Sequence, residues 1–322
     1  MKIRAFVSSS LALLTLFASL AVMADAPKPA DATRAEIKAM FGFMPGFLAA
    51  VPDIALPGAW EEMKTLQLNP KTALPPKIKE LIGLAVASQI PCKYCTYAHT
   101  EFAKLGGASE TECGEAVIMA SLTRHWSTFL QGEQTDLAKW RAEIATAKAH
   151  AMNMMSGKVP APAPVNVTDA ATALQDIQNY WGAVPDVMKR FPEVALAGAW
   201  RELRDVEMNP NTKLSDKHKS LIGLAVASQV PCRFCIHADT EFAKLNGATP
   251  AEIDEAIAMA ALTRHWSTFL NGMMIDERAF MKDVDRLVQG AKKAMVSESN
   301  SKGRETHAAT GGNAVTTAAA GR

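Results

Sequence analysis

The chain has 322 residues, 34 Lys and Arg against 33 Asp and Glu, and a formal charge of +1, so composition offers no electrostatic case for nucleic acid or an anionic membrane as partner. With 48% hydrophobic residues it is long and apolar enough for two domains with cores of their own.

Residues 1–24 read as a cleaved signal peptide. Lys2 and Arg4 precede a short apolar run, and "VMA" supplies small residues for cleavage near Ala24. The run is short for a membrane anchor and lacks a stop-transfer flank. Export to a bacterial periplasm is the expectation, with no membrane partner after cleavage.

Shifting the sequence by 140 positions aligns one half on the other without gaps. "LIGLAVASQIPCKYC" (81–95) matches "LIGLAVASQVPCRFC" (221–235), and "LTRHWSTFLQG" (122–132) matches "LTRHWSTFLNG" (262–272). The reading is an internal duplication, with domains at 30–150 and 171–296 and a Pro-rich linker at 151–170. The tail 297–322 is polar and rich in small residues, and is expected to be disordered.

Each copy has a helical period and no strand alternation, so the fold class is all-α. A helix is expected over 76–89, opened by Pro76, with Ile78, Leu81, Ile82, Ala85 and Val86 on one side. Pro91 breaks it, and the next helix runs from near Cys92 to a stop at Gly106 and Gly107. Ser109 with Glu112 signals a capped third helix, as Thr249, Pro250 and Glu252 do in the second copy. Trp60 and Trp200 read as core or interface anchors, and Cys113, opposite Ile253 in the repeat, as a packing residue. His125 and His265 read as helix-packing histidines.

Cys92, Cys95 and His99 stand at helical spacings i, i+3 and i+7, which places all three on one face. The cysteines fall at a helix start, where unpaired N–H groups and the dipole favour a thiolate. His99 is positioned to take a thiol proton, and Glu80 on the preceding helix to fix its tautomer. A C-x-x-C bridge closes too short a loop to staple a fold, so redox chemistry is the better account. In an exported protein such a pair rests as, or cycles through, a disulfide. A four-cysteine zinc site would need the two distant pairs to meet, and Thr96 and Ile236 stand where haem attachment needs histidine. No metal or cofactor is expected.

Glu80, Cys92, Tyr94, Cys95 and His99 together make the spacing of a Glu, then twelve residues on Cys-x-Tyr-Cys, then three residues and a His. In this the chain resembles the alkylhydroperoxidase D-like proteins of the carboxymuconolactone decarboxylase superfamily, over about a hundred residues of each repeat. The resemblance implies two tandem helical domains, a homo-oligomer, and thiol-dependent reduction of hydroperoxides. It implies Cys95 as the attacking thiolate, Cys92 as the resolving thiol, and Glu80, His99 and Tyr94 as a proton relay. An external dithiol or protein reductant would close the cycle.

At the matched positions the second copy carries Ser220, Cys232, Phe234, Cys235 and Asp239. It keeps a redox pair, Cys232 and Cys235, and is read as having lost every proton-transfer group. Asp239 is expected to add negative charge that opposes a thiolate, and His237 to project from another face. Disulfide exchange or a structural role is expected there. Three rival functions stand for the whole chain: periplasmic thiol–disulfide exchange, lactone decarboxylation, and a non-catalytic binding or assembly module.

Overall fold

A computed structural model describes residues 28–310, with side chains through residue 297. The expected signal segment lies outside the described residues. The first copy comprises α1 (Pro29–Phe41), α2 (Gly46–Ala49), α3 (Leu56–Glu62) running into a π-helical turn (Met63–Gln67), α4 (Pro76–Gln89), α5 (Lys93–Leu105), α6 (Glu110–Gly132) and α7 (Leu137–Met155). The second comprises α8 (Ala170–Trp181), α9 (Asp186–Arg190), α10 (Glu193–Val206), α11 (Asp216–Gln229), α12 (Arg233–Leu245), α13 (Pro250–Gly272) and α14 (Glu277–Thr310). No strand occurs among the described residues, and no helix among them is long and apolar enough to cross a membrane.

The local signals act as the sequence expects. Pro76 opens α4 at its first position, where its missing N–H costs nothing. Ser109 and Glu112 form a reciprocal capping box on α6, and Thr249 and Glu252 form the same box on α13. Cys92 is the N-cap of α5, its sulfur accepting the Cys95 N–H at 3.2 Å; Cys232 caps α12 in the same way.

Two expectations need correction. The apolar side foreseen for residues 76–89 is in fact a whole circumference: every residue from Ile78 to Ala87 is buried, Lys79 and Glu80 included. The second copy covers what would otherwise be the solvent side, because α4 packs on α11 and α13 as well as on α5 and α6. The tail expected to be disordered from 297 continues as helix to Thr310, and only 311–322 lie outside the described residues. The segment holds no proline, and an existing helix extends more readily than a new one nucleates.

The two copies are interlocked. α7, last in the first copy, packs on α12 of the second, and α14 packs back on α5 of the first. One core therefore joins Ile37, Trp60 and Leu81 to Trp266, Phe280 and Val284, and the other joins Trp126, Trp140 and Ile144 to Trp200 and Leu203. Trp60 and Trp200 are fully buried anchors, one in each core. The polar contacts are reciprocal too. Glu255 accepts from the backbone N–H of Ala73 and Leu74, and Glu115 accepts from those of Lys213 and Leu214, 140 positions on. Each copy thus holds the loop ahead of the other's central helix.

Candidate active site

The loop before α4 is set by a buried cation. Lys79, fully buried, donates to the Leu66 and Asn69 carbonyls and to the Thr72 hydroxyl. This fixes the chain just after the π-helical turn, whose last residue, Gln67, turns its amide onto Glu80: Nε2 donates to Oε1 at 3.0 Å. Glu80 Oε2 lies 2.7 Å from His99 Nδ1, with both side chains buried. A carboxylate can only accept, so this contact places the proton on Nδ1 and leaves Nε2 bare as the basic atom.

The second copy completes the site. Thr263 Oγ1 stands 3.4 Å from His99 Nε2 while its hydroxyl proton goes to the Met259 carbonyl at 2.8 Å. It is therefore placed to accept once Nε2 carries a proton. The Asn271 amide reaches Cys92 Sγ at 3.8 Å. Gln67, Thr263 and Asn271 are site residues that the motif spacing does not reveal. For Gln67 a signal was present, since its repeat partner is Glu207 and the substitution falls beside an unchanged Asn-Pro.

Cys92 and Cys95 are joined as a disulfide, and Cys92 is completely buried. Cys95 and His99 both line an apolar cavity of about 520 Å³, with Phe41, Phe47 and Met63 from the first copy and Trp266, Phe280 and Val284 from the second. Of the two sulfurs, Cys95 is the one that faces this space. Tyr94 does not join the Glu80–His99 pair: its hydroxyl donates to the Ile275 carbonyl at 2.6 Å and its ring packs edge-on against Phe280. Its expected place in the proton relay is corrected accordingly; it fastens α5 to the segment before α14.

A larger open groove, about 880 Å³, is lined by Gln89, Arg124, His125 and Phe191 and contains neither cysteine pair. His125 and His265 are exposed, not packed between helices as their sequence context suggests. Cys113 is buried and unpaired, in keeping with the apolar residue at its repeat position.

The second pair, Cys232–Cys235, is likewise a disulfide, but its surroundings differ. Its cavity is only about 80 Å³, because Trp140 and Trp181 occupy the positions of Phe280 and Phe41, and Ile144 that of Val284. Trp140 is pinned by its indole N–H to the Phe234 carbonyl at 3.0 Å. Ser220 bonds only to the Asp216 carbonyl of its own helix. Asp239, in the place of His99, is buried, and Glu207, in the place of Gln67, lines the same cavity. Lys219 holds the Glu207 loop by donating to the Val206 and Asn209 carbonyls, as Lys79 does in the first copy.

The second copy has therefore not lost all its proton-transfer groups. It has exchanged a carboxylate–histidine pair for two carboxyls. Loss of solvent around its carboxyl pushes Glu207 up to about 7, with Lys219 opposing. Burial, and then the facing Glu207, hold Asp239 well above the usual carboxylate range. Asp239 is thus biased toward its neutral form, against the negative charge expected from its type.

A carboxyl whose folded pKa is raised binds more protons folded than unfolded, so its contribution is complete below the unfolded value and lost as pH rises through the folded one. Stability should accordingly fall as pH rises from about 4.5 through about 7. Urea midpoints across that range check this, and the decline should be shallower in Glu207→Gln.

The profile of the Carboxymuconolactone decarboxylase family matches residues 55–133 and again 195–276, together half of the chain. Both matches take in the helices that carry the cysteine pairs and stop short of α7 and α14. No curated protein and no solved structure matched the chain.

Proposed function

The chain belongs to the carboxymuconolactone decarboxylase family, and within it we propose a thiol-dependent peroxidase that reduces hydroperoxides at Cys92 and Cys95. The observation that carries this reading is the convergence of Cys95, His99 and an apolar cavity, with Glu80 2.7 Å behind the imidazole. In the reduced protein His99 Nε2 takes the Cys95 proton. The thiolate attacks one oxygen of the substrate, an S–O bond forms, the O–O bond breaks, and the departing alkoxide takes the proton from the imidazolium. Cys95 is then a sulfenic acid, from which the Cys92 thiol displaces water to give the disulfide. An external dithiol, itself oxidised in the exchange, returns both thiols. Gln67 and Thr263 hold the two ends of the relay.

The same reading keeps export to the periplasm, and a homo-oligomer in which one fused pair stands for a dimer. Protein disulfide exchange is less well supported, since Cys92 is 0% and Cys95 4% exposed, leaving little sulfur for a folded partner's cysteines to reach. Decarboxylation in the family's namesake branch needs no C-x-x-C pair.

One assay separates the three. The protein is given cumene hydroperoxide and a small dithiol, beside insulin reduction and lactone decarboxylation, before and after alkylation of its reduced thiols. Peroxide consumption that vanishes on alkylation is expected. Turnover that survives alkylation overturns the proposal, as does insulin reduction without peroxide consumption.

A further inference from the structure

The second copy holds a chemical set for which neither the first site nor the family match accounts. Glu207 and Asp239 line one small cavity with Cys235, and Thr123 of α6 reaches in from the first copy as Thr263 does at the first site. Asp239 lies over Gly223, where an added Cβ would stand 3.0 Å from either carboxylate oxygen. Glu207 is fixed through the Lys219 contacts to its loop. Among the described residues neither carboxyl has an ion-pair partner, although Lys219, bridged to Asp216 at 2.9 Å, acts on Glu207. A buried carboxyl, Asp239, and a half-buried one, Glu207, lining one small cavity favour a single shared proton over two charges.

We propose that Cys232 and Cys235 form a second peroxide-reducing site, restricted to hydrogen peroxide, in which the Glu207–Asp239 pair is both base and acid. This deepens the peroxidase reading and rests on its thiol chemistry, but uses different residues. The ionised carboxyl of the pair takes the Cys235 proton. The thiolate attacks hydrogen peroxide, an S–O bond forms and the O–O bond breaks. The departing hydroxide takes a proton from the pair and leaves as water, returning the pair to its one-proton state. Cys232 then displaces a second water from the sulfenic acid, so that two thiols and one peroxide become a disulfide and two waters. The restriction follows from space. At about 80 Å³ against about 520 Å³ in the first site, the space favours a peroxide near water in size over a bulky organic one, and Trp140 and Trp181 are the side chains that occupy the room left open in the first site.

The test uses Cys95→Ser protein, reduced and freed of reductant, then given hydrogen peroxide or cumene hydroperoxide. Formation of the Cys232–Cys235 disulfide is followed by rapid alkylation and peptide mass. Hydrogen peroxide should oxidise this pair on the order of 100-fold faster than in the same protein carrying Glu207→Gln and Asp239→Asn. Cumene hydroperoxide should leave it reduced until Trp140→Phe and Trp181→Phe restore the side chains of the first site. Equal rates with and without the two carboxyls, or equal oxidation by both peroxides in the parent, overturn the proposal. If the double carboxyl variant loses its helical signal, Glu207→Gln alone, which copies Gln67, carries the comparison. The first-site reading is scored separately, by oxidation of Cys92–Cys95 with cumene hydroperoxide in the unsubstituted protein.

Discussion

Cys95→Ser should abolish turnover of cumene hydroperoxide, a loss of at least about 1,000-fold, while Cys92→Ser should consume roughly one peroxide per chain and then stall. The difference follows from where the two sulfurs stand. Cys95 lines the 520 Å³ cavity beside His99, so its replacement removes the nucleophile itself. Cys92 is the buried cap of α5, with Asn271 at 3.8 Å, and its replacement leaves the first step intact while removing the group that resolves the sulfenic acid. Cys113→Ala, a change at a thiol outside either site, should leave turnover within about twofold at some cost in stability, since the residue is buried. Steady-state rates with a burst analysis check all three. Full activity in Cys95→Ser would exclude the assigned nucleophile.

How much of this was legible in the sequence depends on the range of the physics involved. Helix starts are local: Pro76, Ser109 with Glu112, and Thr249 with Glu252 each act within one turn, and the chain follows them closely. The Glu80–His99 contact was legible because both residues sit on helices joined by a short turn, where spacing nearly fixes geometry. What the spacing does not carry is anything supplied across the repeat. Thr263 lies 164 residues from His99, and no periodic pattern points from one to the other. Tyr94 illustrates the converse. Its motif position suggested the relay, yet a carbonyl 181 residues away claims its hydroxyl.

The second copy was misread for a similar reason. A motif compared position by position shows His99 replaced by Asp239 and Glu80 by Ser220, which looks like loss. The compensating carboxyl is Glu207, on the π-turn position of the first copy, thirteen residues ahead of Ser220. The tryptophans that shrink the second cavity lie on α7 and α8, and one of them, Trp140, is supplied by the first copy. Cavity size is a property of the interlocked pair, and the family match, which ends before α7 and α14, does not reach the helices that set it.

Gly83→Ala should lower hydroperoxide turnover on the order of 100-fold or more, the scale of losing the general base, with the fold retained. Gly83 is the place where α4 passes under the His99 ring: an added Cβ would lie 2.6 Å from Nε2 and closer still to Cε1 and Nδ1. No Cβ tolerates such contacts. Either the ring swings off Glu80, or α4 and α5 separate at an overpacking cost of about 1–3 kcal/mol. The ring is the softer element, because its hydrogen-bond partners among the described residues are Glu80 and Thr263, whereas α4 is packed on every side. The loss should therefore fall on kcat, with a modest drop in Tm. Gly114→Ala on α6, where nothing lies within 4 Å of the added atom, is the matched control and should raise stability by about 0.5–1 kcal/mol at unchanged turnover. The second copy retains the glycine as Gly223 under a smaller side chain, with 3.0 Å to the Asp239 oxygens in place of the tighter contact. A Gly83→Ala protein with normal kcat would mean that His99 need not rest against α4 to work, and would remove the geometric basis for reading Glu80 and His99 as one relay.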